Sequence, residues 1–318
     1  MRMSALASAL RDAGACVSFA CKSCPKLLLA RFERSGCEIV EISELASREQ
    51  EIATIAEADF IVLDGYHFDS AYQDNLKAQT SAKLLIVDDT AHLPTYNCDL
   101  LLNQNAYFPQ AAYTDKTSAK LLLGLDYVLL RGEFRAQKPR TTHNESKAGL
   151  RLLITMGGSD AENVTGLAVQ AATANKYEFT VILGTASPNK DLVEAQLQGL
   201  TQAKLIVSPE NMAPLLAEHD LIISAGGTTV WEAAYLGIPN IVIITADNQS
   251  GVERFAAKGA CINLGWHKTV TVERLSQEIS SLMQDSARRE ALTTMATSLV
   301  DGQGAGRAAR ALLELKGP

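Results

Sequence analysis

The chain has 318 residues, a hydrophobic content of 47% and a formal net charge of −7, which predict two globular domains and exclude a disordered chain. No run of Lys and Arg is interleaved with aromatic residues, and no apolar stretch approaches the roughly 20 residues that span a bilayer. With no signal-peptide pattern at the start, we predict a cytoplasmic protein with no nucleic-acid or membrane partner. The sequence does not predict the oligomeric state.

The first half of the chain begins with a predicted helix over residues 1–13 that ends at Gly14. Short apolar runs then alternate with amphipathic stretches, as in a parallel α/β sheet. These runs predict buried strands of one sheet at 16–21, 38–42, 60–64 and 83–89. Because a doubly wound domain ordinarily opens with a strand, we expect the first strand of this domain to be missing.

A polar, proline-bearing segment at 135–149 has no periodicity and predicts an interdomain linker. The alternation then restarts, with predicted strands at 151–156, 179–183, 204–207, 220–224 and 240–244. After about residue 270 the pattern predicts only helices, at 272–283, 286–299 and 304–315. The sequence therefore predicts an α/β protein of two Rossmann-like, doubly wound domains that face a cleft, residues 1–140 and residues 148–318.

The stretch SAGGTTVWEAAYLGIPNIVI, residues 224–243, joins a predicted strand to a predicted helix. Gly226 and Gly227 permit a tight turn, and the helix start at Thr228 and Thr229 leaves backbone amides free. Such amides and the helix dipole favour phosphate, while Glu232 can accept hydrogen bonds from two ribose hydroxyls. The alternative is a glycine-rich turn with a surface glutamate that has no ligand.

A second stretch, TMGGSDAENVTGLAV at 155–169, repeats this pattern with Gly157, Gly158, Ser159 and Asp160 ahead of a helix. Between the two, SPENMAPLLAEHD gives a short helix whose start, Asn211 and Met212, could border a base. None of these segments is GxGxxG or GxxxxGK[ST], and there is no DxD triplet. The residues therefore favour a nucleotide diphosphate without a required metal, over redox chemistry or P-loop hydrolysis.

Several motifs together resemble a known family. The segments GGSD, ENMA, AGGTTVWEAAYLGIP and DNQ, in this order and spacing, resemble the nucleotide-binding half of glycosyltransferase-B enzymes. The segments LDGY, VDD, CDLLLNQN, LGLDYVLLRGEF and DGQGAGR resemble the UDP-sugar hydrolases of pseudaminic acid biosynthesis. The similarity extends over nearly the whole chain.

The resemblance implies an inverting hydrolysis of UDP-2,4-diacetamido-2,4,6-trideoxy-β-L-altropyranose to the free sugar and UDP, with no metal and no cofactor. It implies a UDP-binding site formed by Ser159, Asn211, Met212, Gly226, Gly227, Thr228, Thr229 and Glu232. Asn248 and Gln249 would reach the sugar or the phosphates, and Tyr66 would lie near the anomeric carbon. The alternative for Tyr66 is a packing aromatic at a strand end.

The sequence departs from this family at its start. The family's first loop reads roughly GxGHxxR, and its His is the usual group that positions or deprotonates the attacking water. Arg2 matches the Arg of this motif, whereas the His would stand ahead of Met1. We therefore expect an open position in the first sheet and a weakened catalytic step. Of the histidines present, His67 beside Tyr66 is the one to test as a substitute.

Three alternative functions stay open. A glycosyltransferase would share the nucleotide half and need an acceptor surface. A hydrolysing epimerase would need carboxylates to move a proton at the second carbon of the sugar. Asp88 and Asp89 are candidates for that role, although such residues at a strand end more often cap the following turn. A catalytically impaired nucleotide-sugar binder is the third alternative.

Overall fold

The structure is a computed structural model that describes residues 2–24, 26–139, 149–175, 177–184, 186–249 and 251–316. The chain folds into two compact units, one of Met1–Gly132 with Gly302–Pro318 and one of Glu133–Asp301. Of the predicted linker, residues 140–148 lie outside the described residues. Within the described part of the chain, no helix is both long and apolar enough to cross a membrane.

The first unit is built from short parallel strands with helices between them. Its helices before residue 132 are α1 (Arg2–Asp12), α2 (Lys26–Arg34), α3 (Arg48–Ile55) and α4 (Ser70–Gln79). Its strands are β1 (Ser18–Cys21), β2 (Glu38–Glu41), β3 (Phe60–Asp64), β4 (Lys83–Val87), β5 (Leu100–Asn103) and β6 (Lys120–Leu123). A short helix, α5 (Gly132–Arg135), follows at the boundary between the two units. The four strands predicted in this half are observed, and β5 and β6 are additional.

These strands form two sheets. Strands β1 and β2 pair with each other, and β3, β4, β5 and β6 form a four-stranded parallel sheet in that order. The prediction of one sheet through β1 to β4 is therefore wrong. Helix α1 explains how both sheets stay in one unit, because its Leu6 belongs to a core that contacts Val17 ahead of β1 and Phe60 of β3.

The last helix of the chain, α13 (Gly304–Leu313), packs against α1 in the first unit. Small buried residues on α13, including Ala305, Ala308 and Ala309, allow this close approach. At the start of the helix, a Cβ on Gly304 would overlap the backbone of Val128. The predicted second domain ran to residue 318, whereas this packing places residues 302–318 in the first unit.

The second unit contains one six-stranded parallel sheet in the order β12-β11-β10-β7-β8-β9. The strands are β7 (Arg151–Thr155), β8 (Glu178–Leu183), β9 (Ala203–Val207), β10 (Leu221–Ala225), β11 (Asn240–Ile244) and β12 (Ile262–Trp266). The helices are α6 (Val164–Asn175), α7 (Lys190–Leu197), α8 (Met212–Ala217), α9 (Thr229–Leu236), α10 (Val252–Ala257), α11 (Val272–Gln284) and α12 (Ser286–Leu299). The predicted α/β class is confirmed, and β12 is the strand that the sequence did not predict.

The direction in which the chain builds this sheet reverses between β7 and β10. From β7 the chain adds β8 and β9 on one side, and it then returns to add β10, β11 and β12 on the other side. The carboxyl ends of β7 and β10 are level, because Thr155 is paired with Ser224. A reversal of this kind leaves a crevice outside the two strand ends, which is where open α/β sheets bind their ligands.

Candidate functional site

The loop after β7 contains Gly157, Gly158 and Ser159, all three of them exposed. Gly157 has a φ of +85°, a left-handed conformation that favours glycine. Gly158 lies against the end of β8, where a Cβ on Gly184 would overlap its carbonyl oxygen. Gly184 was not among the residues predicted for the site, although a glycine directly after the strand FTVIL is a signal of close backbone approach.

Asp160 ends this loop and caps helix α6. Its two carboxylate oxygens accept hydrogen bonds from the backbone amides of Val164 (2.9 Å) and Thr165 (3.0 Å). Its carbonyl oxygen accepts a further bond from the side chain of Asn189 at 2.8 Å. Asp160 is a predicted UDP-binding residue, and the structure places it among buried residues with its carboxylate bonded to the protein backbone.

The loop after β10 contains Gly226, Gly227 and Thr228 and leads into α9 at Thr229. Helix α9 ends at Gly237, whose φ of +70° is the usual left-handed conformation after a helix. Glu232 lies in the first turn of α9 and is only 4% exposed. This loop and the loop after β7 leave neighbouring strands, so the structure brings the two predicted phosphate-binding segments to the same part of the sheet.

Gln249 ties the loop after β11 to the loop after β10. Its side-chain oxygen accepts hydrogen bonds from the backbone amide of Gly226 (3.1 Å), the backbone amide of Thr245 (2.9 Å) and the Thr245 hydroxyl (3.2 Å). Asn248 is exposed on the same single 3₁₀ turn, Asp247–Gln249. Of these two predicted catalytic residues, the structure therefore directs the amide oxygen of Gln249 toward the protein.

Asn211 and Met212 lie at the start of α8, beyond the end of β9. The Asn211 side chain accepts a hydrogen bond from the Ala213 amide at 3.0 Å and so caps this helix. The Met212 amide donates to a carboxylate oxygen of Glu133 at 3.4 Å. Strand β9 is separated from β7 by β8, so these two predicted residues follow a strand that does not adjoin the reversal of the sheet.

Tyr66 belongs to the first unit, where it follows β3 and is 52% exposed. Its hydroxyl donates to a carboxylate oxygen of Asp89 at 2.9 Å. The guanidinium of Arg2 joins Asp89 (2.6 Å) to Asp64 (2.7 Å), at the ends of β4 and β3. Burial lowers the pKa of Arg2, but its hydrogen bonds with Asp64 and Asp89 outweigh burial and raise that pKa above its usual value.

Asp88 is buried at the end of β4 and is held by donors from three directions. It accepts hydrogen bonds from the Ala91 amide (2.7 Å), the Tyr96 hydroxyl (3.1 Å) and the Tyr113 hydroxyl (2.5 Å). Burial has the largest effect on the pKa of Tyr113 and raises it, and the hydrogen bond to Asp88 raises it further. The Tyr113 hydroxyl therefore stays protonated and donates to Asp88. Asp88 thus caps the turn after its strand, while the neighbouring Asp89 bonds to other side chains.

His92 adjoins this carboxylate. Its Nδ1 lies 3.2 Å from Oδ1 of Asp88, and its ring meets the ring of Tyr66 edge to face with centroids 5.4 Å apart. Both rings line a cavity of about 30 Å³ together with Arg2, Leu63, Asp64, Gly65, Phe68, Ile86, Val87, Asp88, Leu93 and Tyr96. His67 is not among these lining residues, and its ring packs on Phe68 instead. His92 was not among the residues predicted for the site, and its signal is its position four residues after the strand-end Asp88.

Metal-ligating residues are scattered in the structure. Within the residues that the structure describes, no group of three or more His, Cys, Asp or Glu side chains is arranged to hold a metal ion. Cys21 and Cys24, which are spaced as CxxC, are free thiols. Burial raises the pKa of each of these two thiols.

Comparison with known proteins shows what each part of the chain is similar to. Residues 151–307 match the Glycosyltransferase family 28 C-terminal domain. The spore coat polysaccharide biosynthesis protein SpsG of Bacillus subtilis is 26% identical over 245 residues, which cover 76% of this chain and 72% of that protein. The UDP-2,4-diacetamido-2,4,6-trideoxy-beta-L-altropyranose hydrolase of Campylobacter jejuni is 27% identical over 251 residues, 76% of this chain and 86% of the hydrolase.

A solved structure confirms the fold. MurG of Acinetobacter baumannii superposes with a TM-score of 0.60 at 18% identity, and the alignment covers 98% of this chain and 95% of that one. Together with the domain match at residues 151–307, this similarity identifies the glycosyltransferase-B fold. The fold class predicted from the motifs is therefore confirmed.

Proposed function

We propose that the protein is a nucleotide-sugar enzyme that hydrolyses a UDP-linked diacetamido-trideoxy sugar to the free sugar and UDP. The observation on which this rests is the reversal of the sheet between β7 and β10, where two glycine-containing loops leave adjacent strands at the same level. The Campylobacter hydrolase supports the choice of reaction, because its similarity extends through most of the chain and includes both units.

In this proposal the second unit binds UDP through backbone amides. The loop at residues 226–229 leads into α9, whose amino-terminal dipole favours the negative charge of a pyrophosphate. The loop at residues 157–159 contributes its own exposed backbone amides, because the Asp160 carboxylate already caps α6. Glu232 accepts hydrogen bonds from the two ribose hydroxyls. Gln249 keeps the loop at Gly226 in position through its hydrogen bonds, and Asn248, exposed beside it, contacts the phosphates or the sugar.

The chemical step is the attack of water on the anomeric carbon, with inversion. The departing UDP gains negative charge on its β-phosphate, and the backbone amides of the two glycine loops and of the start of α9 stabilise that charge. Tyr66 contacts the sugar near the reacting carbon, and its hydroxyl is held by Asp89. Asp89, in turn, is held by Arg2, so this part of the site is organised before substrate binds.

The direct test is incubation of the purified protein with UDP-2,4-diacetamido-2,4,6-trideoxy-β-L-altropyranose, followed by NMR of the products. We expect equal amounts of UDP and free sugar. The first-formed sugar should be inverted at the anomeric carbon and unchanged at its other carbons. An epimer at the second carbon would instead identify a hydrolysing epimerase. Retained binding without any product would identify a nucleotide-sugar binder and contradict the proposed hydrolysis.

A glycosyltransferase is the second candidate, and the domain match favours it. The matched range, residues 151–307, begins at the first strand of the nucleotide-binding unit and bears the glycosyltransferase name. Nucleotide binding in a transferase and in a hydrolase would use the same loops, so only the acceptor separates the two. UDP release that needs an added lipid or saccharide acceptor, and no release in buffer alone, would favour the transferase.

A further inference from the structure

We infer that His92, oriented by Asp88, is the general base that accepts a proton from the attacking water. This inference rests on the proposed hydrolysis, which needs a group to take that proton as water bonds to the anomeric carbon. A positioned His is the side chain that most often performs this transfer. The structure offers a specific arrangement for it in the first unit, at the carboxyl ends of β3 and β4.

The contact with Asp88 sets which ring nitrogen bears the proton. The backbone amide of Ala91 and the hydroxyls of Tyr96 and Tyr113 fix the Asp88 carboxylate, whose Oδ1 lies 3.2 Å from Nδ1 of His92. A carboxylate beside Nδ1 favours the proton on that nitrogen, which leaves the lone pair on Nε2. Among the residues that the structure describes, Nε2 of His92 has no hydrogen-bond partner, and the side chain is 36% exposed.

The cavity beside this ring is large enough to hold the nucleophile. Its volume of about 30 Å³ exceeds the roughly 10–15 Å³ that a single water requires. The cavity lining contains polar side chains that can bind such a water. The titratable or charged groups that face His92 and the cavity are Arg2, Asp64, Tyr66, Asp88 and Tyr96. The edge-to-face contact between the rings of Tyr66 and His92 limits the movement of the imidazole.

The step balances without any further reactant. The water oxygen forms a bond to the anomeric carbon and gives one proton to Nε2 of His92. The bond between that carbon and the β-phosphate oxygen breaks, and its electron pair leaves with UDP. The products are the free sugar, UDP and an imidazolium that Asp88 stabilises, which then returns its proton to solvent.

The test compares His92→Gln with His67→Gln in the full chain, using the UDP-linked diacetamido-trideoxy-altrose as substrate. We expect His92→Gln to lower kcat by about 10²- to 10⁴-fold, with KM and the affinity for UDP unchanged. His67→Gln serves as the matched control, because His67 is a neighbouring exposed histidine outside the cavity lining, and it should keep the wild-type kcat. Wild-type kcat in His92→Gln would overturn the inference.

A second variant separates a catalytic role from a structural one. In His92→Ala, added imidazole should restore turnover. Failure of imidazole to restore activity in a variant that still binds UDP would contradict the role of His92. If the wild-type protein itself releases no sugar while it binds UDP, the proposed function and this inference both fail, a result distinct from hydrolysis that is independent of His92.

Discussion

At the scale of single residues, several side chains predicted to bind ligand hold the backbone of a loop. Asp160 caps α6, Asn211 caps α8, and Gln249 accepts three hydrogen bonds from Gly226 and Thr245. Short polar side chains at strand ends can bond either to a ligand or to nearby backbone amides. Sequence spacing puts them at the correct edge of the sheet but does not reveal which atom each one contacts.

His219 shows how a buried polar residue links two elements of the second unit. Its Nδ1 lies 2.6 Å from the carbonyl oxygen of Leu215, so Nδ1 bears the proton, and its Nε2 lies 2.9 Å from the hydroxyl of Thr180 in β8. Burial lowers the pKa of His219 and outweighs the bond to Leu215, which raises that pKa. The neutral imidazole is therefore the form that the folded state favours.

This arrangement predicts a specific dependence of stability on pH. Because the pKa of His219 is lower in the folded state than the unfolded value of about 6.5, its contribution is present above that pH. The contribution is lost as pH falls through the folded-state pKa, because the unfolded chain binds the proton first. The difference in unfolding free energy between wild type and His219→Gln should therefore be largest near neutral pH and shrink in acid. Urea unfolding across this range measures it, and a difference that grows on acidification would contradict the prediction.

At the scale of elements, periodicity predicted strands β1 to β4 and β7 to β11 and missed β5, β6 and β12. The strands with four or more consecutive buried residues in the second unit, such as β10 and β11, were predicted within two residues of their ends. Strands β5 and β6 contain four residues each, as do the predicted strands β1 and β2, so length alone does not separate the strands that were predicted from those that were missed. In β12, partial exposure and Gly265 within the strand weaken the signal.

Helix α13 offers a matched pair of glycines for a test of packing. A Cβ on Gly304 would overlap the backbone of Val128, whereas a Cβ on Gly306 would meet no atom within 4 Å. We expect Gly304→Ala to destabilise the first unit by about 1–3 kcal/mol, because backbone must move to admit the methyl group. Gly306→Ala should be neutral or stabilising by up to about 1 kcal/mol, because alanine favours a helix.

Thermal unfolding of both glycine variants measures these effects, since each change adds one methyl group to the same helix. Gly304→Ala should lower the midpoint temperature of unfolding. Gly306→Ala should raise that temperature or leave it unchanged. Equal destabilisation by both changes would show that α13 tolerates no added methyl group anywhere. Such a result would contradict the special position of Gly304 against Val128.

At the scale of the whole molecule, the sequence predicted two α/β units and the glycosyltransferase-B fold, but not which unit the last helix joins. The packing of α13 on α1 connects the two ends of the chain. No local pattern near residue 302 predicts that α13 packs on α1. Both helices are amphipathic, and either unit could cover their apolar faces. The split of the first-unit strands into two sheets has the same origin in long-range packing.

The candidate site was predictable in part for a related reason. Glycine loops after strands are local signals, so the segments at 157–160 and 226–229 were recognised, and the strand order then brought two of them together. The hydrogen bonds of Asp88 with Tyr113, and of Arg2 with Asp64, join residues 25 and 62 positions apart. Such bonds depend on the folded arrangement, so the sequence named Asp88 and Tyr66 but did not show that both lie beside His92.

The central claim is that the loops after β7 and β10 bind one pyrophosphate while Glu232 binds the attached ribose. Calorimetric titration with UDP tests it most directly, with wild type, Glu232→Ala and the control Glu273→Ala, which removes an exposed first-turn glutamate of α11. We predict an affinity about 10- to 100-fold weaker for Glu232→Ala, as expected for loss of hydrogen bonds to a charged group, and unchanged affinity for Glu273→Ala. Wild-type affinity for UDP in a folded Glu232→Ala protein would contradict the claim.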